Sequence, residues 1–232
     1  MPGTAVLAGV GPGFCERLAE RLGDAGHDLA LFGRSDDYLA DLAERLESEG
    51  HTARAIPTDV TDPDQVEAAF AEIEAHLDPV SVLALTASTT TSDDRAGVDP
   101  DRFEKMWRLY AHGSLLCFRA AEDDLLKTGG TVLFFGALER GGDVAFKAGK
   151  DAARGLARGL FDEYAPDGIH VVHVIIGGIM LNPDVREMVD DPDPEDYLHP
   201  ASVAETCVHL VEQDDRTQTF ELDLRPGKHG LY

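Results

Sequence analysis

The chain has 232 residues, of which 43% are hydrophobic and 28% are charged. It can bury the core of one folded domain, which excludes a disordered chain and a small disulfide-held scaffold. Its 44 acidic and 20 basic side chains give a net charge of −24. A surface this negative repels nucleic-acid phosphates and anionic lipids, so we expect neither nucleic acid nor a membrane as a partner. The expected organisation is a single domain over residues 1–232.

The composition also indicates the setting in which the protein works. The basic group holds 15 Arg but only 5 Lys, and this acid-rich, lysine-poor balance resembles that of halophilic proteins. We interpret it as a solvated acidic surface rather than as an acidic binding face. The cysteines Cys15, Cys117 and Cys207 form no close pair and no metal-ligand spacing, so we expect free thiols and no metal. The sequence contains no recognisable signal peptide or membrane span, so a cytoplasmic location is expected.

Strand-length apolar runs alternate along the chain with segments that carry apolar residues at helical spacing. The predicted strands are Ala5–Ala8, Asp28–Phe32, Ala53–Ile56, Val82–Leu85, Thr131–Phe135, His170–Ile176 and Phe220–Leu224. The predicted helices are Phe14–Leu22, Tyr38–Glu49, Pro63–His76, Asp101–Ala121, Lys147–Tyr164 and Ser202–Glu212. This alternation predicts an α/β fold, a doubly wound parallel sheet of about seven strands with helices on both faces. The segment Asn182–Pro200, with four prolines, is predicted to be an irregular loop or lid on the substrate side.

The strongest local motif lies between the first predicted strand and the first predicted helix. Its residues are Gly9, Gly11, Pro12, Gly13 and Phe14. Glycines here allow a tight turn, bring backbone N–H groups close to a pyrophosphate and direct a helix N-terminus at its negative charge. A plain strand-to-helix turn is the alternative, but it explains one glycine rather than three alternating ones.

Two further positions extend this nucleotide site. Arg34 and Ser35 follow the second predicted strand, where the adenosine ribose of a dinucleotide would lie. A guanidinium there pairs with a 2′-phosphate, so NADP(H) is favoured over NAD(H), although nearby acids could instead satisfy a surface arginine. Asp59 and Val60 follow the third strand and could hold the adenine edge. Asp59 could equally cap the next helix.

With these landmarks the sequence resembles the short-chain dehydrogenase/reductase family over nearly its whole length. The resemblance rests on the glycine loop, Arg34, Asp59-Val60, Lys150 and the closing strand Phe220–Leu224. It implies a Rossmann domain, a nicotinamide dinucleotide cofactor and assembly as a dimer or tetramer. Glycines at positions 149, 155 and 159 would let another helix approach closely, which is compatible with a homo-oligomer contact.

The sequence departs from the family pattern at the residues that carry the chemistry. The family mechanism uses a Tyr and a Lys four residues apart on one helix, a Ser on the preceding strand and often an Asn one helix earlier. Lys150 matches the lysine, but Phe146 stands at the tyrosine position. The serine region, residues 134–139, contains no hydroxyl, and the asparagine position is Tyr110. Because a phenyl ring has no proton to give, the usual acid catalysis would be lost.

Other departures affect the cofactor contacts that the resemblance implies. Cys15 stands at the last glycine of the loop, and Thr86-Ala87-Ser88 replaces the motif that normally follows the fourth strand. The implied contacts fall on Ala87, Gly177 and Ile179, while Leu181 replaces a customary threonine.

Two roles are open for the remaining candidate catalytic residues. Tyr110 could supply the missing proton, with Lys150 lowering its pKa, or its ring could simply fill the space of a lost asparagine. Lys150 could hold the nicotinamide ribose. The chain is therefore expected to be an NADP(H)-dependent oxidoreductase acting on a carbonyl or alcohol. The alternatives are a non-catalytic dinucleotide-binding sensor or regulatory subunit, or a chain in which Cys15 and Thr86-Ala87-Ser88 have abolished cofactor binding.

Overall fold

The computed structural model describes residues 2–89, 99–137 and 143–227. The seven strands are β1 (Thr4–Ala8), β2 (Asp28–Gly33), β3 (Ala53–Pro57), β4 (Val80–Leu85), β5 (Thr131–Ala137), β6 (His170–Ile176) and β7 (Glu221–Leu224). The helices are α1 (Phe14–Asp24), α2 (Asp36–Ser48), α3 (Pro63–His76), α4 (Pro100–Trp107), α5 (Gly113–Thr128), α6 (Val144–Tyr164), α7 (Pro183–Met188) and α8 (Pro200–Val211). Every predicted strand is present, with bounds within two residues of the prediction.

All seven strands pair in parallel in the order β3-β2-β1-β4-β5-β6-β7. The crossover helices lie on both faces of the sheet, which confirms the predicted doubly wound Rossmann architecture. Alternate residues of β1 enter two separate hydrophobic clusters. Val6 and Ala8 pack on the side of α3, α5 and α6, whereas Ala5 and Leu7 pack on the side of α1, α2 and α8. Because helices cover both faces, the central strands are apolar throughout rather than alternating.

The prediction of one long helix over Asp101–Ala121 is wrong in one respect. The structure places a π-helical turn, Arg108–His112, between α4 and α5. Apolar periodicity continues through such a turn, so the sequence pattern could not reveal the wider winding. The start of α5 lies close to the loop after β3. A Cβ at Gly113 would overlap the carbonyl oxygen of Val60, so only glycine fits at this position.

The segment Asn182–Pro200 is less irregular than predicted. It contains α7 and a short 3₁₀ turn, Pro194–Asp196, and its last residue is the first residue of α8. The first residue of each of these helical elements is a proline. Its missing N–H costs no intrahelical hydrogen bond at that position. Three of the four prolines that indicated a loop, Pro183, Pro194 and Pro200, therefore mark helix starts.

The N-terminus of α3 is capped by Asp62, whose side chain accepts hydrogen bonds from the N–H groups of Asp64 and Gln65. Asp59 does not cap this helix. Its Oδ1 accepts hydrogen bonds from the backbone N–H and the hydroxyl of Thr61 at 2.9 and 2.8 Å, which stiffens the turn after β3. Ser35 occupies the corresponding position before α2, but its side chain makes no capping hydrogen bond.

These two caps give a matched stability test. Asp62→Ala should lower the free energy of unfolding by about 1 kcal/mol, because two N–H groups of α3 lose their acceptor. Ser35→Ala should change it by less than about 0.5 kcal/mol, since no capping bond is lost. Urea unfolding of the ligand-free proteins measures both values, and equal losses in the two variants would contradict the assignment of the caps.

Candidate active site

A cleft of about 870 Å³ opens at the carboxyl edge of the sheet. It is lined by the loops that follow β1, β2, β3 and β4, by α4, by the end of β5, by the start of α6 and by the chain after β6. The crossovers leave β1 and β4 toward opposite faces of the sheet, so their loops diverge and leave a crevice between them. Open parallel sheets bind ligands at this kind of position.

The loop between β1 and α1 is held close to the loop after β4. Gly9 has a φ of +113°, and a Cβ there would overlap the backbone of Ala87. Gly13 also has a positive φ, of +92°, whereas a Cβ at Gly11 would point into open space. The N–H groups of Gly9 and Val10 donate to the carbonyl oxygen of Phe32, which fixes the turn against β2. Glycine is therefore required at the two positions where the backbone is left-handed or in close contact.

The replaced residues near this loop do not close the cleft. Cys15 Sγ lies 3.7 Å from the carbonyl oxygen of Gly9, and Thr86 Oγ1 donates to the same oxygen at 3.1 Å. Burial raises the pKa of the Cys15 thiol. Both side chains therefore hydrogen-bond to the loop backbone. Ala87 and Ser88 line the cleft without filling it, so the crowding that we expected from Cys15 and Thr86-Ala87-Ser88 does not close the cleft.

The predicted adenosine end of the site is polar and accessible. Arg34 is exposed, lines the cleft and, among the residues the structure describes, forms no hydrogen bond or salt bridge. The nearby acids Asp36 and Asp37 therefore do not neutralise it through an ion pair. Asp59 and the buried Val60 also line the cleft, whereas Ser35 is exposed beside the lining.

Lys150 and Phe146 line the opposite end of the cleft. Lys150 Nζ donates to the carbonyl oxygen of Phe135 at 2.9 Å and lies 4.1 Å from the centre of the Tyr110 ring. Among the described residues no carboxylate is hydrogen-bonded to this amine, and burial lowers the pKa of Lys150 to about 7. The amine can therefore exist with and without its proton near neutral pH.

Tyr110 lies behind this end of the cleft rather than in its lining. Its side chain is 3% exposed, and its ring meets the Phe146 ring edge-to-face at 5.6 Å. The Tyr110 hydroxyl accepts a hydrogen bond from Thr89 N at 3.3 Å and lies 3.4 Å from Ser88 Oγ. Burial raises the pKa of Tyr110, whereas the sequence led us to expect Lys150 to lower it. Lys150 contacts the face of the ring and not the hydroxyl, and this position agrees with a space-filling role.

The remaining predicted contacts lie at the edge of the cleft. Gly177 donates its N–H to Leu224 at 2.7 Å and is outside the lining, as is Ile179, whose side chain is 54% exposed. Gly13 lies just beneath the lining and faces the side chain of Asn182.

Sequence reasoning missed several residues that line the cleft. They are Phe135, Ile176, Met180 and Asn182, together with Lys105 and Arg108 on the helical side. One sequence feature could have drawn attention to Asn182, which is the only asparagine in the chain.

Comparison with known proteins agrees with this architecture. A family profile described as short chain dehydrogenase matches residues 3–191. The chain belongs to the short-chain dehydrogenase family. An uncharacterized oxidoreductase of Staphylococcus aureus (strain MRSA252) is 24% identical over 227 residues, which covers 96% of both chains.

Two solved structures of short-chain dehydrogenase type extend the comparison. A short-chain dehydrogenase from Rhodopseudomonas palustris is 26% identical with a TM-score of 0.80, covering 96% of this chain and 98% of the other. An alcohol dehydrogenase from the archaeon Thermococcus sibiricus, solved with 5-hydroxy-NADP, is 25% identical with a TM-score of 0.86 over the full length of both chains. This protein is therefore an oxidoreductase-family Rossmann domain.

In the part of the chain that the structure describes, neither a membrane-spanning helix nor a cluster of metal ligands is found. Within it, no helix is both long enough and apolar enough to cross a membrane. No three His, Cys, Asp or Glu side chains in the same ranges come together as metal ligands.

The unusual position of Lys150 leads to a titration prediction. In protein labelled with ¹³C at lysine Cε, one of the five lysine signals should titrate near pH 7. Because the unfolded chain keeps this proton up to about pH 10.5, unfolding takes up a proton above pH 7, and stability should rise with pH from about 7 to about 8, below the range in which the thiols of the unfolded chain ionise. Lys150→Met should remove both the signal and the slope.

Lys147→Met, one turn earlier on α6, provides the control and should leave the titrating signal in place. A spectrum in which no lysine signal titrates below pH 9 would contradict the burial of the Lys150 amine against a carbonyl oxygen rather than a carboxylate.

Proposed function

We propose that this protein is an NADP(H)-dependent oxidoreductase that acts on a carbonyl or alcohol bound beside Lys150. The observation that carries the proposal is the cleft at the crossover between β1 and β4, with a glycine cradle at one wall and an exposed, unpaired Arg34 among the described residues. The family membership supports the reaction class, while the substrate's identity is open.

The described residues fit a dinucleotide along the length of the cleft. The N-terminus of α1 directs its N–H groups and the positive end of its dipole toward the space above Gly11, which suits a pyrophosphate. Asp59 and Val60 line the position for an adenine, and Ala87 lines the centre. The van der Waals space that a Cβ at Gly11 would enter is open, so a ligand can approach the backbone there.

Arg34 supports a preference for NADP(H) over NAD(H). A 2′-phosphate carries charge that the planar guanidinium can pair with, whereas a free 2′-hydroxyl is normally held by an acidic residue. The acids nearest in sequence, Asp36 and Asp37, begin α2 and form no ion pair with Arg34. In a chain of net charge −24, this isolated cation gives a polyanionic ligand a local positive contact.

The chemistry at the other end of the cleft has to proceed without a phenol on α6. When bound, the nicotinamide cofactor supplies or accepts the hydride. Carbonyl reduction then requires a proton for the alkoxide oxygen, and Phe146 cannot provide one. Lys150 lines the cleft and its amine can carry a proton near neutral pH, so it can hold ribose hydroxyls and stabilise negative charge.

A second candidate function is a dinucleotide-binding sensor or regulatory subunit without turnover. The specific observation in its favour is that a phenyl ring, Phe146, stands where the family has a proton donor, while Tyr110 is outside the lining and its hydroxyl contacts Ser88 and Thr89. Positioned acid catalysis contributes about 10²–10⁴-fold, so its loss would leave a slow enzyme or none.

Titration of the protein with NADPH and NADH, followed by nicotinamide fluorescence, tests the proposed function. NADPH should bind more tightly than NADH, and Arg34→Ala should weaken NADPH binding by about 10-fold or more while leaving NADH binding nearly unchanged. The change removes a guanidinium that pairs with the 2′-phosphate. Slow oxidation of bound NADPH on addition of aldehydes or ketones would identify an enzyme, and binding without oxidation would identify a sensor.

Arg119→Ala is the matched control, because it removes the same charge from an exposed site on α5 away from the cleft. It should leave both affinities unchanged. Equal binding of NADPH and NADH by the wild type would contradict the role of Arg34, and the absence of binding of either would overturn the proposed function.

A further inference from the structure

The side chain of Asn182 makes an unexpected contact with α1, the helix that follows the glycine loop. Its Oδ1 accepts a hydrogen bond from the backbone N–H of Phe14, the first residue of α1, at 3.1 Å. The contact is so close that a Cβ at Gly13 would overlap the Asn182 amide. Asn182 also lines the cleft. Its amide oxygen therefore occupies one of the N–H groups to which the proposed pyrophosphate would bind.

Asn182 stands at the N-cap position of a different helix, α7. An N-cap asparagine normally accepts a hydrogen bond from the second or third N–H of the helix that it precedes. Here the side chain makes no such bond to α7 and instead caps α1. One amide oxygen is thus within reach of two helix N-termini and satisfies only one of them.

The neighbouring backbone allows the side chain to move alone. Leu181 N donates to Leu198 at 2.9 Å, and Leu198 N donates to Ile179 at 2.9 Å, so the base of the segment is paired on both sides. Leu181 and Leu198 are also buried. Asn182 itself has a φ of −72° and a ψ of 165°, the extended conformation of an N-cap residue, so a change of side-chain rotamer is enough to turn its amide toward α7.

The choice of a neutral amide at this position is informative. The chain contains 44 acidic side chains and a single asparagine, which is Asn182. An aspartate would cap α1 more strongly, because a carboxylate interacts favourably with a helix N-terminus. It would also repel a phosphate arriving at the same N–H groups. An amide holds the N–H in the absence of ligand and can yield it to an anion.

We propose that Asn182 is an exchangeable cap that couples occupation of the α1 N-terminus to helix α7. Without ligand, its amide oxygen satisfies Phe14 N. When a phosphate oxygen of the cofactor accepts that N–H, the amide oxygen turns to the N–H groups of residues 184 and 185 and caps α7. Helix α7 thereby senses the cofactor. This inference rests on the proposed dinucleotide function.

Hydrogen exchange measured by mass spectrometry on the full chain, with and without saturating NADPH, tests the exchange of caps. In the wild type, NADPH should slow amide exchange at the start of α7 by about fivefold, the factor that a capping hydrogen bond of about 1 kcal/mol provides. Exchange at the start of α1 should slow as well, because phosphate replaces the amide oxygen there. Nicotinamide fluorescence establishes saturation for each protein independently.

Two variants separate the roles of the side chain. Asn182→Ser keeps a residue that caps well but is too short to reach Phe14 N, so α7 should exchange slowly with and without NADPH. Asn182→Ala cannot cap either helix, so α7 should exchange rapidly in both conditions.

Each outcome has a distinct meaning. If NADPH binds but exchange in α7 does not change in the wild type, the exchangeable cap is wrong and the proposed function stands. If Asn182→Ala shows the same slowing as the wild type, α7 responds through other residues and the cap is again wrong. If none of the three proteins binds NADPH, the proposed function fails and the coupling fails with it.

Discussion

The cleft depends on the close approach of two loops at the centre of the sheet. β1 pairs with β2 on one side and β4 on the other, and the Gly9 backbone lies against Ala87 with no room for a side chain between them. This contact fixes the glycine loop above the point where the crossovers diverge, and it directs the N-terminus of α1 into the crevice. Arg34 and Asp59 line one cleft because β2 and β3 end at the same edge of the sheet, and α6 places Lys150 in the lining of the same cleft.

The two ends of that cleft differ in how well they suit the family's chemistry. At the nucleotide end, a free guanidinium among the described residues, a glycine cradle and a helix N-terminus all favour a phosphorylated ligand. At the other end, the rings of Phe146 and the buried Tyr110 lie beside Lys150, whose amine donates to the Phe135 carbonyl oxygen and to no other acceptor in the described ranges. Binding and proton transfer are therefore separable, which is why both an enzyme with slow chemistry and a sensor are consistent with the same pocket.

The sequence was sufficient for the seven strands and their parallel arrangement, because buried parallel strands are short apolar runs that alternate with helices. It was also sufficient for the glycine loop and Arg34, whose positions follow from the ends of single strands. It was insufficient for the π-helical turn at Arg108–His112, which leaves apolar periodicity intact. Contacts over long sequence separations were equally inaccessible, since Phe14 and Asn182 are 168 positions apart and no local pattern relates them. The orientation of the Tyr110 hydroxyl depended on packing against Phe146, which periodicity does not specify.

In the proposed function, the cleft binds a nicotinamide cofactor while Phe146 provides no proton donor. The most direct measurement is the single-turnover rate of NADPH oxidation with a panel of aldehydes and ketones, in the wild type and in Phe146→Tyr. Phe146 lines the cleft four residues before Lys150, so a phenol there gains a neighbouring amine and access to the substrate. We expect the rate to rise by about 100-fold with little change in NADPH affinity. Equal rates in the two proteins, with NADPH bound to both, would contradict the account.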